Sequence, residues 1–258
     1  MGSVQRSQGR HQEAISLFQQ ALSIATSAGD QERALSGLGG THYLTSKYAE
    51  AYQYYTRARD ICTRIGDDLG QAHAIRRLAK VHYAQLELTQ AKEAYVRARD
   101  IFSRVGNQSG LADTLRGLGN ISRHRSEHTE AEEFYNQARH IYARIGHDRG
   151  QANALTRMGK LCRDRSEDTK AEELFKQALD IYSRIGDDLG RANAKKSIGV
   201  LYLAQGLNTK AKSLLEEARS LYAQVSNSKG EEECSHQLDV MTIERGESST
   251  TPPPGSGN

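Results

Sequence analysis

Ile65-Gly66-Asp67-Asp68-Leu69-Gly70 and Ile185-Gly186-Asp187-Asp188-Leu189-Gly190 are the same hexapeptide, and its first glycine belongs to an evenly spaced series, Gly66, Gly106, Gly146 and Gly186. A fixed period of that length marks a chain of repeated supersecondary units, each burying its apolar face on its neighbours. Outward from these glycines, the same register carries Ala51, Ala91, Ala131, Ala171 and Ala211, and seven residues later Ala58, Ala98, Ala138, Ala178 and Ala218. Between the alanines stand Tyr55, Tyr95, Tyr135, Phe175 and Leu215; after them come Ile61, Ile101, Ile141, Ile181 and Leu221. Small and large residues alternating at helical steps describe one buried stripe.

Each unit reads as two helices. In the second unit Asp67 or Asp68 caps a first helix, the A-helix, running to about Leu86. A second, the B-helix, runs from about Leu88 to Val105, with Gly106 as its stop. Gly70, Gly110, Gly150, Gly190 and Gly230 fall in the first turns of successive A-helices. A helix tolerates glycine poorly there, so these positions predict close approach to the preceding B-helix. They are not phosphate loops: neither G-x-x-x-x-G-K-S/T nor G-x-G-x-x-G occurs.

Composition agrees. Leu, Ile, Val and Phe make up under a fifth of the 258 residues, too few for one large globular core. The 35 basic and 32 acidic residues nearly balance, so the low aliphatic content lacks the charge excess of a disordered chain. Alanine and the 12 tyrosines supply the packing instead. The expected fold class is all-α, a solenoid of antiparallel helix pairs. Cys62, Cys162 and Cys234 are too widely spaced for a disulfide framework or a zinc site and fit a reducing compartment. Lacking a membrane-length apolar run and a secretory leader, the sequence is expected to be cytoplasmic.

Leu38-Gly39, Leu118-Gly119, Met158-Gly159 and Ile198-Gly199, each followed by Ala51, Ala131, Ala171 or Ala211, resemble the tetratricopeptide repeat signature, and Leu78-Ala79 with Ala91 is the second unit's version. Tyr202 matches the signature aromatic, whereas His42, His82, Ser122 and Cys162 depart from it, and the usual proline between repeats is absent. The 40-residue length is similar to the subclass in Pins-type spindle-orientation adaptors, and more loosely to kinesin light chains and the repeat arrays of fungal NTPase receptors. The resemblance covers roughly residues 8 to 245. It implies residues 9–28 as the orphan B-helix of a truncated repeat, 29–228 as five helix pairs, 229–245 as a capping helix and 246–258 as a disordered tail. The chain is therefore expected to be part of a longer array. Gly29 comes three residues early if it is the first stop glycine, which predicts a distorted first joint.

Catalysis is not expected, since an open solenoid offers few closed pockets. His124 and His128 straddle a helix junction and do not form a metal pair, and His42, His82 and Cys162 read as core. No cofactor is implied. Charge is more informative: each of the four A-helices from 69 to 206 carries a net charge of +2 to +4, against +3 for the whole chain. Acidic residues collect in B-helices and turns. The A-helix side opposite the packed positions lines the concave groove of this architecture. It contains His73, Arg76, Arg77, Lys80 and Tyr83, then Arg116, Asn120 and Arg123, then Asn153, Arg157, Lys160 and Arg163, and finally Asn193 and Lys196.

Arginine forks and asparagine amides suit carboxylates and the amides of an extended peptide. The expected function is a non-catalytic scaffold whose basic groove grips an acidic extended segment of a partner protein. The same face also suits RNA or another polyanion, although it lacks a run of stacking aromatics beyond Tyr83. A third reading is the ligand-sensing repeat region of a larger NTPase receptor. The resemblance also raises the carboxylate clamp of some tetratricopeptide domains. Arg116 and Asn120 match it with one conservative change, but Arg157 replaces an asparagine and Val200 a base, so an internal acidic segment fits better than a chain terminus.

Overall fold

The computed structural model describes the backbone of residues 2–248 and the side chains of residues 10–241. Among the described residues there are twelve α-helices and no strand. They are α1 (Gly2–Ile24), α2 (Ala28–Leu44), α3 (Tyr48–Ile65), α4 (Asp68–Ala84), α5 (Leu88–Arg104), α6 (Gln108–His124), α7 (His128–Arg144), α8 (Asp148–Asp164), α9 (Asp168–Arg184), α10 (Asp188–Ala204), α11 (Asn208–Gln224) and α12 (Ser228–Ser248). The fold is the all-α helix-pair solenoid that the repeat period predicts. Even-numbered helices are A-helices and odd-numbered ones B-helices. The chain divides into two compact units between Leu161 and Cys162.

The first unit packs α2 with α3, α4 with α5 and α6 with α7, and α1, α3 and α5 also pack on the A-helices that follow them. All its register alanines are fully buried, and Tyr55, Tyr95 and Tyr135 lie between them in the core. Ile61, Ile101 and Ile141 are only half-buried. The large residues that close the stripe are Cys62, Phe102 and Tyr142, one position further on. These meet the following A-helix, which sits between two B-helices and so buries two sides: Ala72, Ala74 and Val81 as well as Ile75, Leu78 and Ala79. In the second unit α10 packs with α9 and α11, and α11 with α12. Ala211, Leu215, Ala218 and Tyr222 form one core with Cys234 and Met241 of α12.

The first-turn glycines explain the tightness of the joints. A Cβ at Gly110 would collide with the Phe102 ring, and one at Gly150 with the Tyr142 ring. Each glycine backbone N–H is also the donor that satisfies the cap. Asp67 Oδ1 accepts from Gly70 at 2.8 Å, Asn107 Oδ1 from Gly110 at 2.6 Å and Asp187 Oδ1 from Gly190 at 2.9 Å. At the other end of each pair the chain reverses through a left-handed residue: Ser46, Leu86, Ser126, Ser166 or Gly206, with φ from 59° to 72°.

Three expectations change. Gly29 is not a stop glycine: it lies inside α2, whose cap is Ser27, accepting from the Asp30 N–H at 3.0 Å. Ser27 stands one full repeat before the Asp67 cap, so the first joint keeps the register undistorted. The first helix ends at Ile24 rather than 28, and α12 continues to Ser248, into the segment expected to be disordered from 246. Residues 249–258 of that expected tail lie outside the described residues.

Candidate functional site

In the first unit two of the expected A-helix residues, Arg76 and Arg116, converge on one acid absent from the expected set. Asp113, in the first half of α6, accepts from Arg116 at 3.0 Å and from the Tyr142 hydroxyl at 2.7 Å through Oδ1. Its Oδ2 pairs with Arg76 of α4 at 3.1 Å. Burial works against ionising this carboxyl, but Arg76, Arg116 and the Tyr142 hydroxyl outweigh it and hold its pKa down to about 2. Arg76 and Arg116, expected to be ligand contacts, are thus already held by an internal carboxylate. The signal for Asp113 was its register, since it stands one repeat after His73 and one before Asn153. Residues at this register position meet a ring of their B-helix: His73 lies edge-on to Phe102 with centroids 5.0 Å apart, and Asn193 accepts from Tyr222 at 2.8 Å.

Arg77 turns toward α2: it donates to Ser36 Oγ at 2.5 Å, lies 3.9 Å from Glu32 and sits over the Tyr55 ring at 5.8 Å. Asn120 accepts from the Tyr135 hydroxyl at 2.9 Å, which leaves its amide N–H groups to donate elsewhere. Arg123 neighbours the same hydroxyl. Tyr83 meets His124 edge-on at 6.2 Å. Asn153, Arg157 and Lys160 lie half-buried along one face of α8.

Lys80 and Arg157 differ from these arginines. Among the described residues no carboxylate forms an ion pair with either. Burial, reinforced by Arg76 and Arg116, pushes the Lys80 pKa down to about 8. Burial and then Arg116 also lower the Arg157 pKa. Arg116 therefore lies close enough to act on both. The unit thus presents half-buried cations around Asp113, of which Arg76 and Arg116 bond it directly, while Lys80 feels its charge without an ion-pair contact.

In the second unit the expected residues are engaged differently. Arg163 is 4.0 Å from Asp164. Asn193 uses both ends of its amide, accepting from Tyr222 and donating to the Leu189 carbonyl at 2.9 Å. Lys196 is ion-paired with Glu233 of α12 and lies over the Tyr222 ring at 5.5 Å. Helix α12 thus supplies the counter-charge to Lys196.

The repeat geometry, its even register and the small-large stripe coincide with family-model matches to the tetratricopeptide repeat at residues 30–104, 110–184 and 151–224, and a second such model matches 1–32. The chain belongs to the tetratricopeptide repeat family. A search of curated proteins returns no match to this tetratricopeptide protein. Solved structures share its fold at low identity. BtubC from P. vanneervenii is 18% identical with a TM-score of 0.65, covering 86% of this chain and 91% of its own. A putative kinesin light chain repeat protein from Podospora anserina is 16% identical with a TM-score of 0.57, covering 78% and 99%. A Rap protein complexed with Competence and Sporulation Factor is 14% identical with a TM-score of 0.68, covering 95% and 74%.

The comparisons support a repeat scaffold. Among the described residues no group of three His, Cys, Asp or Glu side chains could hold a metal, and no helix is long and apolar enough to cross a membrane.

Proposed function

We propose that this tetratricopeptide protein is a non-catalytic binding scaffold whose basic A-helix face in the first unit takes an acidic, extended segment of a partner protein. The observation that carries this reading is that Lys80 and Arg157 are half-buried cations in ion-pair contact with no carboxylate among the described residues, while Arg76 and Arg116 are held by Asp113. Leaving a charge partly out of water is costly unless something pairs with it. An acidic segment supplies that pair, and the spare Asn120 amide donors suit its backbone carbonyls. The shared fold of the Rap protein solved with Competence and Sporulation Factor supports a ligand-binding use of such an array. Cytoplasmic residence is part of the same proposal.

The test is fluorescence anisotropy with labelled Asp/Glu-rich dodecapeptides against the purified protein and an Arg157→Glu, Lys160→Glu variant. Binding to the wild type, lost in the variant with its helical circular dichroism unchanged, is the expected result. Equal binding by the two proteins refutes the site. Tighter binding of an RNA dodecamer than of any peptide, fading steeply with salt, moves the polyanion reading ahead.

A further inference from the structure

The second unit carries a groove on the side away from its basic residues. It runs over α10 between α9 and α11 and encloses about 510 Å³. At about 100° per residue, Ile198 and Tyr202, which line it, lie on the side of α10 opposite Asn193 and Lys196. We infer that this groove is a docking site for a partner's segment that carries a bulky apolar side chain flanked by a carboxylate. It is a different surface from the acidic-segment face and stands independently of that reading.

The repeat makes the groove's composition informative. The register position of Leu179 holds Arg59, Arg99, Arg139 and Arg219 in the other repeats, and that of Ser213 holds Gln53, Glu93, Glu133 and Glu173 in the preceding ones. Tyr202 stands where the preceding repeats have His42, His82, Ser122 and Cys162. Three departures from the register therefore meet at one groove, and each removes a polar group or adds apolar surface. An arginine in place of Leu179 would lay its stem across the floor and keep its fork in water. Leu179 instead joins Ile198 and Leu214 as an apolar floor, with the Tyr202 ring as a wall. Ile198 is buried, whereas Leu179 and Leu214 are only half-buried and leave apolar surface for a ligand to cover.

Charge at the rim sets the sign of the partner. Among the described residues the lining includes Lys176 and Lys210 and no acid. Glu172, beside it, is satisfied twice, by Lys176 at 2.6 Å and by the Tyr202 hydroxyl at 2.6 Å. Lys210 feels the charge of Glu172 but forms no ion pair among the described residues; its ammonium lies over the Tyr202 ring, 5.8 Å from the centroid. Two lysines against one glutamate leave one net positive charge beside the apolar floor. A carboxylate next to an apolar side chain matches both at once. Thr209 and Ser213, four residues apart on the exposed face of α11, offer hydroxyls to the backbone of the same segment. Small-molecule sites enclose most of their ligand, whereas an open groove of this kind suits a side chain presented from a longer chain.

The experiment is methyl NMR on the whole chain, reading the methyl groups of Leu179, Ile198 and Leu214. The probe is a degenerate dodecapeptide library with a fixed central Glu-Phe-Glu and otherwise Ser, Thr, Asn and Gln. Saturable shifts of those methyls are the expected result. Alanine in place of the phenylalanine should weaken binding about tenfold, and glutamine in place of both glutamates about threefold. Leu179→Arg and Lys210→Glu each install a residue type that other repeats carry at the same register position, so the fold is kept, and each should abolish the shifts of Ile198 and Leu214 with circular dichroism unchanged. Equal shifts in the wild type and Leu179→Arg overturn the site, as does the absence of any shift at these methyls. If 3-phenylpropionate binds as tightly as the library, the occupant is a free apolar acid and docking of a segment is overturned. Each of these results leaves the acidic-segment reading to its own test, because that face is read by Arg157 and Lys160.

Discussion

Replacing Lys80 by methionine should make the unliganded protein more stable. Lys80 lies half-buried on α4, beside Arg76 and Arg116, and carries its charge against burial and two like charges. Its pKa of about 8 in the fold, against 10.5 for an unperturbed lysine, is the free-energy record of that opposition. A depressed lysine pKa means that the unfolded chain holds its proton more tightly. The penalty is therefore fully present below pH 8 and is relieved as the pH rises toward 10.5, where the unfolded lysine also loses its proton. At 1.36 kcal/mol per pH unit the ceiling is about 3 kcal/mol, and water reaching the exposed end of the side chain reduces the expected gain to about 1–2 kcal/mol at pH 7. Methionine keeps the length and apolar stem while removing the charge. Urea titrations of wild type and Lys80→Met, followed by far-ultraviolet circular dichroism at pH 7, 8.5 and 10, should show the variant's midpoint higher at pH 7 and the gap closing by pH 10. A variant less stable at pH 7, or a gap that ignores pH, would refute the electrostatic account. The same substitution should weaken anion binding, so stability and binding move in opposite directions.

Other expectations follow from the same geometry. Asp113→Ala leaves Arg76 and Arg116 unpaired and should cost about 2–4 kcal/mol by urea denaturation, given their partial burial. In the wild type this network's contribution is present above about pH 4 and lost as pH falls through 2, because the Asp113 pKa is depressed in the fold to about 2. Gly110→Ala drives a methyl into the Phe102 ring and should destabilise by about 1–3 kcal/mol, whereas Gln108→Ala on the same turn should not. Leu86 holds a left-handed backbone at φ 63° with an exposed side chain, and Leu86→Gly should stabilise the fold by about 1 kcal/mol in urea titrations; no gain would mean that its side chain has a packing role. Tyr95→Ala should cost about 3–5 kcal/mol, since that ring is core and fills the space left by Gly117.

The fold was legible because its rule is local. A helix placed between two neighbours needs small residues at fixed steps, and the ten register alanines state that need directly. The joints were less legible where a residue had two readings. Gly29 resembles a stop by type, but the cap at Ser27 shows that its register position is inside α2. Ile61 and its equivalents look like stripe members, yet the ring or thiol one position later faces the next repeat, and that face depends on a partner from the following unit. The site was legible as a charged face but not as a set of pairs. Counting charge by helix placed Arg76, Arg77 and Lys196 among ligand contacts, whereas Asp113, Glu32 and Glu233 bind them inside the chain. Lys80 and Arg157 stand out only after those pairs are subtracted.

The contact between a first-turn glycine and the aromatic ring of the preceding B-helix recurs as Gly110 with Phe102, Gly150 with Tyr142, Gly190 with Tyr182 and Gly230 with Tyr222. Because the coupling is the same each time, one helix pair can follow another without any interface being redrawn. Deleting or duplicating a stretch one whole period long therefore rejoins a ring to a glycine, while a change of any other length leaves a ring facing a side chain. The joint of Gly70 with Cys62 is the exception, a thiol in place of a ring. Such a chain changes its length in whole repeats, and the unique contacts around Asp113 are what distinguish one repeat from its interchangeable neighbours.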